Sequence, residues 1–128
     1  MENKKQLSKC EQQLRDTVDR IAGHIEGTIP IDPETCNRYY ELDEEEQKDF
    51  FPDGFDYLDD IYDYKFIVDS DKSYLGARIC VAYGGPNIFI DTFNKQIEGY
   101  WGGDTYIKSY YEDDINLDNA IEELLFTT

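Results

Sequence analysis

The sequence predicts an α+β domain with helices towards both ends of the chain and an antiparallel sheet between them. In residues 3–26, apolar side chains recur every three or four positions, as in a helix that buries one face. Beyond residue 61 the apolar period changes to two, which is the period of a strand. A chain of 128 residues, 40% of them hydrophobic and 15% aromatic, suffices for one buried core. We therefore interpret residues 1–128 as a single acidic α+β domain.

The N-terminal segment has the pattern of an amphipathic helix over residues 3–26, with Gly27 placed to end it. His24, the only histidine, is expected to be a packing or capping residue. The spacing is close to a heptad repeat, so a homodimeric coiled coil is the alternative to packing on the domain's own sheet. Because the repeat spans barely three heptads, we favour the sheet. The predicted buried stripe consists of Leu7, Cys10, Leu14, Val18, Ile21 and Ile25.

Short helices are predicted between residues 32 and 60. Asp32 followed by Pro33 has the form of an N-cap and first helical residue, and the helix would run through Tyr40. Asp43 and Glu46 have the spacing of a capping box for a second short helix, which would end before Pro52. A further helical turn is expected after residue 54.

The middle of the chain predicts a meander of four or five strands. The first strand begins at residue 61 and places Tyr62 and Tyr64 on one face. Filling of the inner side of the sheet by these two tyrosines is expected as the alternative to a place in a contact surface. Short connections require neighbouring strands to run antiparallel. The other strands are expected around 75–81, at 87–91, at 96–101 and at 105–111.

The C-terminal segment predicts a closing helix. Asp114 or Asn116 is expected to cap its N-terminus, because either side chain can accept hydrogen bonds from the first turn. Four apolar residues follow at helical spacing and are expected to face inward. They are Leu117, Ile121, Leu124 and Leu125.

Negative charge is concentrated in two stretches of the sequence. The chain has 29 acidic and 12 basic residues, a formal net charge of -17. Residues 32–71 contain fifteen acids against three basic residues, and residues 104–123 contain seven against one. Such charge repels nucleic acid and anionic membranes and attracts basic surfaces. A basic protein partner is therefore expected, and a merely solubilising acidic face is the alternative.

No cofactor, metal site or enzymatic activity is predicted. The segment that begins at Asp69 resembles a calcium-binding loop, but Tyr74 stands where glycine is required and Cys80 where glutamate is required. The three cysteines are odd in number and far apart, so we expect them to be reduced. Without a signal peptide or a membrane span, the expected location is the cytoplasm. A metal-dependent enzyme built on paired acids is a less favoured alternative.

Tyrosines alternate with acids in the two acidic stretches, and this mixture predicts a contact surface. Tyrosine supplies a large contact area with little loss of entropy, while carboxylates hold the arginines and lysines of a partner. Twelve residues are the candidates for binding a basic cleft. They are Asp43, Glu44, Glu45, Glu46, Asp49, Asp56, Tyr57, Asp59, Asp60, Asp63, Asp113 and Asp114.

In size, acidity and the Asp/Glu/Tyr mixture of 41–71 and 104–123, the chain resembles the small acidic antidefence proteins of phages and mobile elements. The segments GGPNIFIDT and EGYWGGD look like those of proteins from low-GC Gram-positive bacteria and their prophages. Anti-CRISPR and antirestriction proteins of this kind often act as DNA mimics. The resemblance implies an inhibitor of a nuclease in the bacterial host cell, with a CRISPR effector as the first candidate. An immunity protein against a nuclease toxin is the alternative, and a solubilised interaction module is another.

Overall fold

The computed structural model describes residues 8–127 and contains one five-stranded antiparallel sheet, with α-helices towards both ends of the chain. The strands follow one another across the sheet in chain order, so the predicted α+β meander is confirmed. In this part of the chain, no helix is long and apolar enough to cross a bilayer. The helices are α1 (Lys9–Glu26), α2 (Glu44–Lys48), α3 (Gly54–Tyr57) and α4 (Leu117–Ile121), and the strands are β1 (Asp63–Val68), β2 (Tyr74–Ala82), β3 (Asn87–Asp91), β4 (Gln96–Trp101) and β5 (Asp104–Ser109).

Helix α1 has well-defined caps at both ends. Ser8 and Glu11 form a reciprocal capping box, so the helix begins at Lys9 and not at residue 3 as predicted. The remaining predicted residues of that helix, including Leu7, lie outside the described residues. Gly27 ends the helix in the left-handed conformation, at φ 77°, as predicted.

The buried stripe of α1 packs on β4 and β5 of the same chain. Leu14, Val18 and Ile25 are almost completely buried, so this stripe is occupied within the chain and does not offer a coiled-coil seam. The helix approaches β4 most closely at Gly99, where an added Cβ would lie 2.7 Å from Val18 Cγ2. The prediction for Cys10 was wrong, because this residue precedes the first buried position of the helix and is exposed.

Three isoleucines form the centre of the sheet's covered face. Ile79, Ile90 and Ile97 are neighbours across β2, β3 and β4, and all three are fully buried. The predicted bounds of β3 and β4 are confirmed. Strand β5 ends at Ser109 instead of residue 111, because Tyr110 turns its side chain into the core and donates its N–H to the Lys95 carbonyl.

Strand β1 is an edge strand and begins at Asp63, two residues later than predicted. The expectation that Tyr62 and Tyr64 fill the inner face was wrong, since both side chains are exposed. Phe66 of this strand is half-buried and contacts the rings of Tyr74 and Phe126, while Tyr64 contacts the ring of Phe66 itself.

The short helices follow the predicted caps better than the predicted lengths. The expected helix over residues 32–40 is divided into two 3₁₀ turns, Pro33–Thr35 and Asn37–Glu41, because the backbone at Cys36 is extended. The capping box of Asp43 and Glu46 at the start of α2 is confirmed.

The closing helix begins as predicted but widens after α4 into a π-helical turn, Glu122–Phe126. Leu117 and Ile121 are buried, as expected. Leu124 is exposed instead of inward, because the wider turn rotates the side chains relative to an α-helix.

We expect Gly99→Ala to lower the free energy of unfolding by about 1 to 3 kcal/mol, because the new methyl group collides with Leu14 and Val18. Gly103→Ala is the matched control, since a Cβ there meets no atom within 4 Å. Its effect should stay within about 0.5 kcal/mol. Urea denaturation of both variants measures the difference, and equal effects would contradict the close helix–sheet contact.

Candidate functional site

Most of the candidate contact residues are exposed carboxylates, and we call this group the acidic surface. It consists of Asp43, Glu44, Glu45, Glu46, Asp49, Asp59, Asp60, Asp63 and Asp114. The other three candidates, Asp56, Tyr57 and Asp113, point into the structure and have internal partners. The contact surface is therefore smaller than the sequence predicted.

Asp56 is a buried carboxylate that forms an ion pair with the partly exposed Arg38. The guanidinium donates from Nε to Oδ1 at 2.9 Å and from Nη2 to Oδ2 at 2.8 Å, and the Asp53 N–H also donates to Oδ2. Burial by itself would raise the pKa of Asp56, but these hydrogen bonds lower it below the ordinary value. Because the carboxylate is 2% exposed, Asp56 cannot bind a partner and instead ties α3 to the preceding 3₁₀ turn.

Tyr57 belongs to the contact between α1 and α3. The Tyr57 hydroxyl lies 3.2 Å from His24 Nδ1, and burial raises the pKa of Tyr57. Burial and the nearby Arg20 lower the pKa of His24, so the imidazole is neutral at physiological pH. His24 thus has the packing role expected from the sequence.

Asp113 caps α4. Its carboxylate accepts hydrogen bonds from the N–H groups of Leu117 and Asp118, both at 2.8 Å. Asn116 occupies the N-cap position, one of the two predicted, but in a left-handed conformation and without a side-chain hydrogen bond. The expected hydrogen bonds to the first turn come from Asp113 instead. Asp114 therefore remains exposed.

The two acidic stretches of the sequence meet in the folded protein. Gly54 donates its N–H to the Ile115 carbonyl at 2.8 Å, and an added Cβ at Gly54 would lie 2.7 Å from the Leu117 Cα. Asp53 and Asp114 line the same cavity of about 690 Å³. Asp53 and Asp114, two acids more than fifty residues apart in the sequence, therefore lie at the same cavity.

The acidic surface is almost uncompensated by basic residues. Among residues 8–127, its only ion pair joins Glu45 to Lys48 at 3.8 Å, and both of those side chains are largely exposed. Arg38 is occupied by Asp56 and Asp53. The pKa of Asp59 is raised by partial burial and by the neighbouring carboxylates, as expected where like charges crowd together. This arrangement favours the binding of cationic groups.

Two of the three cysteines, Cys36 and Cys80, are buried in packing positions, whereas Cys10 is exposed. Burial raises the pKa of the Cys36 and Cys80 thiols, which disfavours the reactive thiolate. Within residues 8–127, no group of three or more His, Cys, Asp or Glu side chains is arranged to hold a metal ion. The acidic surface is therefore the principal candidate site.

The role of Arg38 as the ion-pair partner of a buried acid was not predicted from the sequence. A signal was present, since Arg38 is the only basic residue between positions 27 and 47 and must compensate any acid that is buried nearby. The sequence does not indicate which acid pairs with Arg38, because Asp56 lies 18 positions away from it.

Comparisons with protein-family models, with curated proteins and with solved structures gave no significant match. The acidic surface is interpreted below from its own geometry and charge.

We expect Asp56→Asn to lower the free energy of unfolding by about 1 to 3 kcal/mol at pH 7, because the ion pair with Arg38 loses its negative charge. The partial exposure of Arg38 to solvent limits the size of this effect. The folded state lowers the pKa of Asp56, so its contribution is present above the unfolded value of roughly 3.9 and is lost as the pH falls through the folded pKa. The difference from wild type should therefore shrink below about pH 4.

Urea denaturation between pH 3 and pH 7 measures this difference, with Asp49→Asn as the control. Asp49 is exposed and has no ion pair within the described chain, so its variant should resemble wild type throughout. A constant deficit of Asp56→Asn over the whole pH range would contradict the proposed ionic contribution.

Proposed function

We propose that this protein is a non-enzymatic inhibitor that binds a basic protein surface in the cytoplasm of a bacterial host cell. The observation that carries the proposal is the acidic surface, in which nine exposed carboxylates share a single ion pair within residues 8–127. The Gly54–Ile115 hydrogen bond joins the two acidic stretches of the sequence. Such an arrangement disfavours folding through self-repulsion and is relieved when a cationic partner binds.

The partner proposed for this surface is a nuclease, with a CRISPR effector as the first candidate. Duplex DNA presents one negative charge per ~1.7 Å of its axis, so the cleft that holds it is lined by lysines and arginines. The carboxylates of the acidic surface are suited to occupy these residues in place of phosphates. The mechanism is steric and electrostatic competition with DNA.

Exposed aromatic side chains in the same stretch favour a second candidate, an immunity protein that neutralises a nuclease toxin. Tyr40, Phe51 and Tyr62 are all largely exposed. Aromatic residues are enriched at protein–protein interfaces, whereas electrostatic imitation of DNA requires only the charges. A nuclease toxin encoded beside this protein and neutralised by it would favour the second candidate.

A DNA-cleavage assay tests the first proposal. Purified protein is added to RNA-guided effector nucleases of low-GC Gram-positive bacteria, and cleavage is followed at 50 and 200 mM salt. We expect inhibition that excess duplex DNA reverses and that weakens by about tenfold or more at the higher salt. Cleavage that stays unaffected in every effector class would overturn the CRISPR assignment.

We expect neutralisation of the acidic surface to weaken the inhibition at least about tenfold, because each contact with a basic partner loses its charge. The variant combines Glu44→Gln, Asp49→Asn, Asp60→Asn and Asp63→Asn, which spares the Asp43–Glu46 capping box of α2. The inhibition constant at low salt is the measurement.

The matched control removes the same number of charges elsewhere. It combines Asp16→Asn, Asp71→Asn, Glu122→Gln and Glu123→Gln, all exposed residues outside the acidic surface. We expect this control to retain inhibition within about threefold. Equal losses in the two variants would show that total charge, and not the acidic surface, is responsible.

A further inference from the structure

Two exposed tyrosines form a pair beside the acidic surface. Tyr62 precedes β1 and Tyr83 follows β2, and their ring centroids lie 6.4 Å apart at an angle of 40°. The two side chains remain 65% and 73% exposed. The N–H of Tyr62 donates to the Cys80 carbonyl, so the backbone beneath the pair is held by the sheet.

The protein itself shows how its aromatic rings and carboxylates hold an arginine. The Arg38 guanidinium lies 4.5 Å from the ring centroid of Phe50 while it donates to Asp56. The Arg78 guanidinium lies 3.8 Å from the centroid of Phe89 and 3.0 Å from Glu98. In both cases the guanidinium carbon lies over an aromatic ring and a carboxylate accepts hydrogen bonds from the guanidinium.

The Tyr62–Tyr83 pair has the same components but no arginine. Within residues 8–127, no cation lies over either ring. The candidate carboxylate is that of Asp60, which lies two positions before Tyr62 in the sequence and lines a cavity together with Val81 and Ala82, the two residues that precede Tyr83. Asp60 has no ion pair in the described chain.

We propose that Tyr62, Tyr83 and Asp60 form a binding site for an arginine side chain of the basic partner. This inference rests on the proposed function and specifies which cation the surface selects. The ring pair offers an aromatic face to the planar guanidinium, and Asp60 accepts its N–H groups. Charge complementarity and the two internal arginine contacts both indicate this occupant.

The site is expected to prefer arginine to lysine. A guanidinium is planar and weakly hydrated, so it can stack on a ring while it donates to a carboxylate. The lysine ammonium is compact and strongly hydrated, and it gains mainly the electrostatic attraction. Because arginine and lysine carry the same charge, a difference in their affinities for the site would report the contribution of the aromatic pair.

The test compares two peptides of equal length and charge, one with arginines and one with lysines at the same positions. Their affinities for the full chain are measured by isothermal titration calorimetry at physiological salt. We expect the arginine peptide to bind about three- to tenfold more tightly. Tyr62→Ile together with Tyr83→Ile should abolish this preference and leave the salt-dependent binding of the lysine peptide in place.

Two further variants keep the result interpretable. Tyr62→Phe with Tyr83→Phe retains both rings and should retain the preference, while Tyr111→Ile removes an equally exposed tyrosine elsewhere and should also retain it. Equal affinities of wild type for the two peptides, or a preference that survives the double Ile variant, would overturn the arginine site. Failure of both peptides to bind would overturn the proposed function as well.

Discussion

The packing of α1 against the sheet is the interaction on which the rest of the structure depends. Gly99 allows the helix to rest almost directly on β4. The C-terminal end of α1 then positions the closing segment, because the Ile25 carbonyl accepts the Asp114 N–H at 2.7 Å. In that closing segment, the Ile115 carbonyl accepts a hydrogen bond from the Gly54 N–H. The juxtaposition of the two acidic stretches is thus a consequence of helix–sheet packing, which apolar side chains drive.

Acidic residues have two separate roles in this protein. Those that the fold buries are satisfied internally, as Asp56 is by Arg38 and Glu98 by Arg78. Burial without such partners would be strongly unfavourable for a carboxylate. The acids of the acidic surface remain hydrated and almost unpaired. Two of the four arginines, Arg38 and Arg78, therefore pair with carboxylates that the fold buries, and the exposed carboxylates of the acidic surface are left almost without cationic partners.

Local features were predictable wherever neighbouring residues determine the structure. The alternation and short turns around β3 and β4 identified both strands, and the Asp43/Glu46 spacing identified the start of α2. Asp56 and Tyr57 were assigned wrongly to the contact surface, because their partners Arg38 and His24 are distant in sequence. Periodicity and capping are local, whereas burial depends on which segments pack together.

The sequence by itself determined the α+β class, the antiparallel meander, the net charge of -17 and its concentration in two stretches. These properties follow from composition and from short-range periodicity. The tertiary structure alone decided that Asp56 and Asp113 serve internal hydrogen bonds, that Asp114 lies beside Asp53, and that Tyr62 meets Tyr83. Each of these depends on contacts between distant segments, which form only when the chain closes around its core.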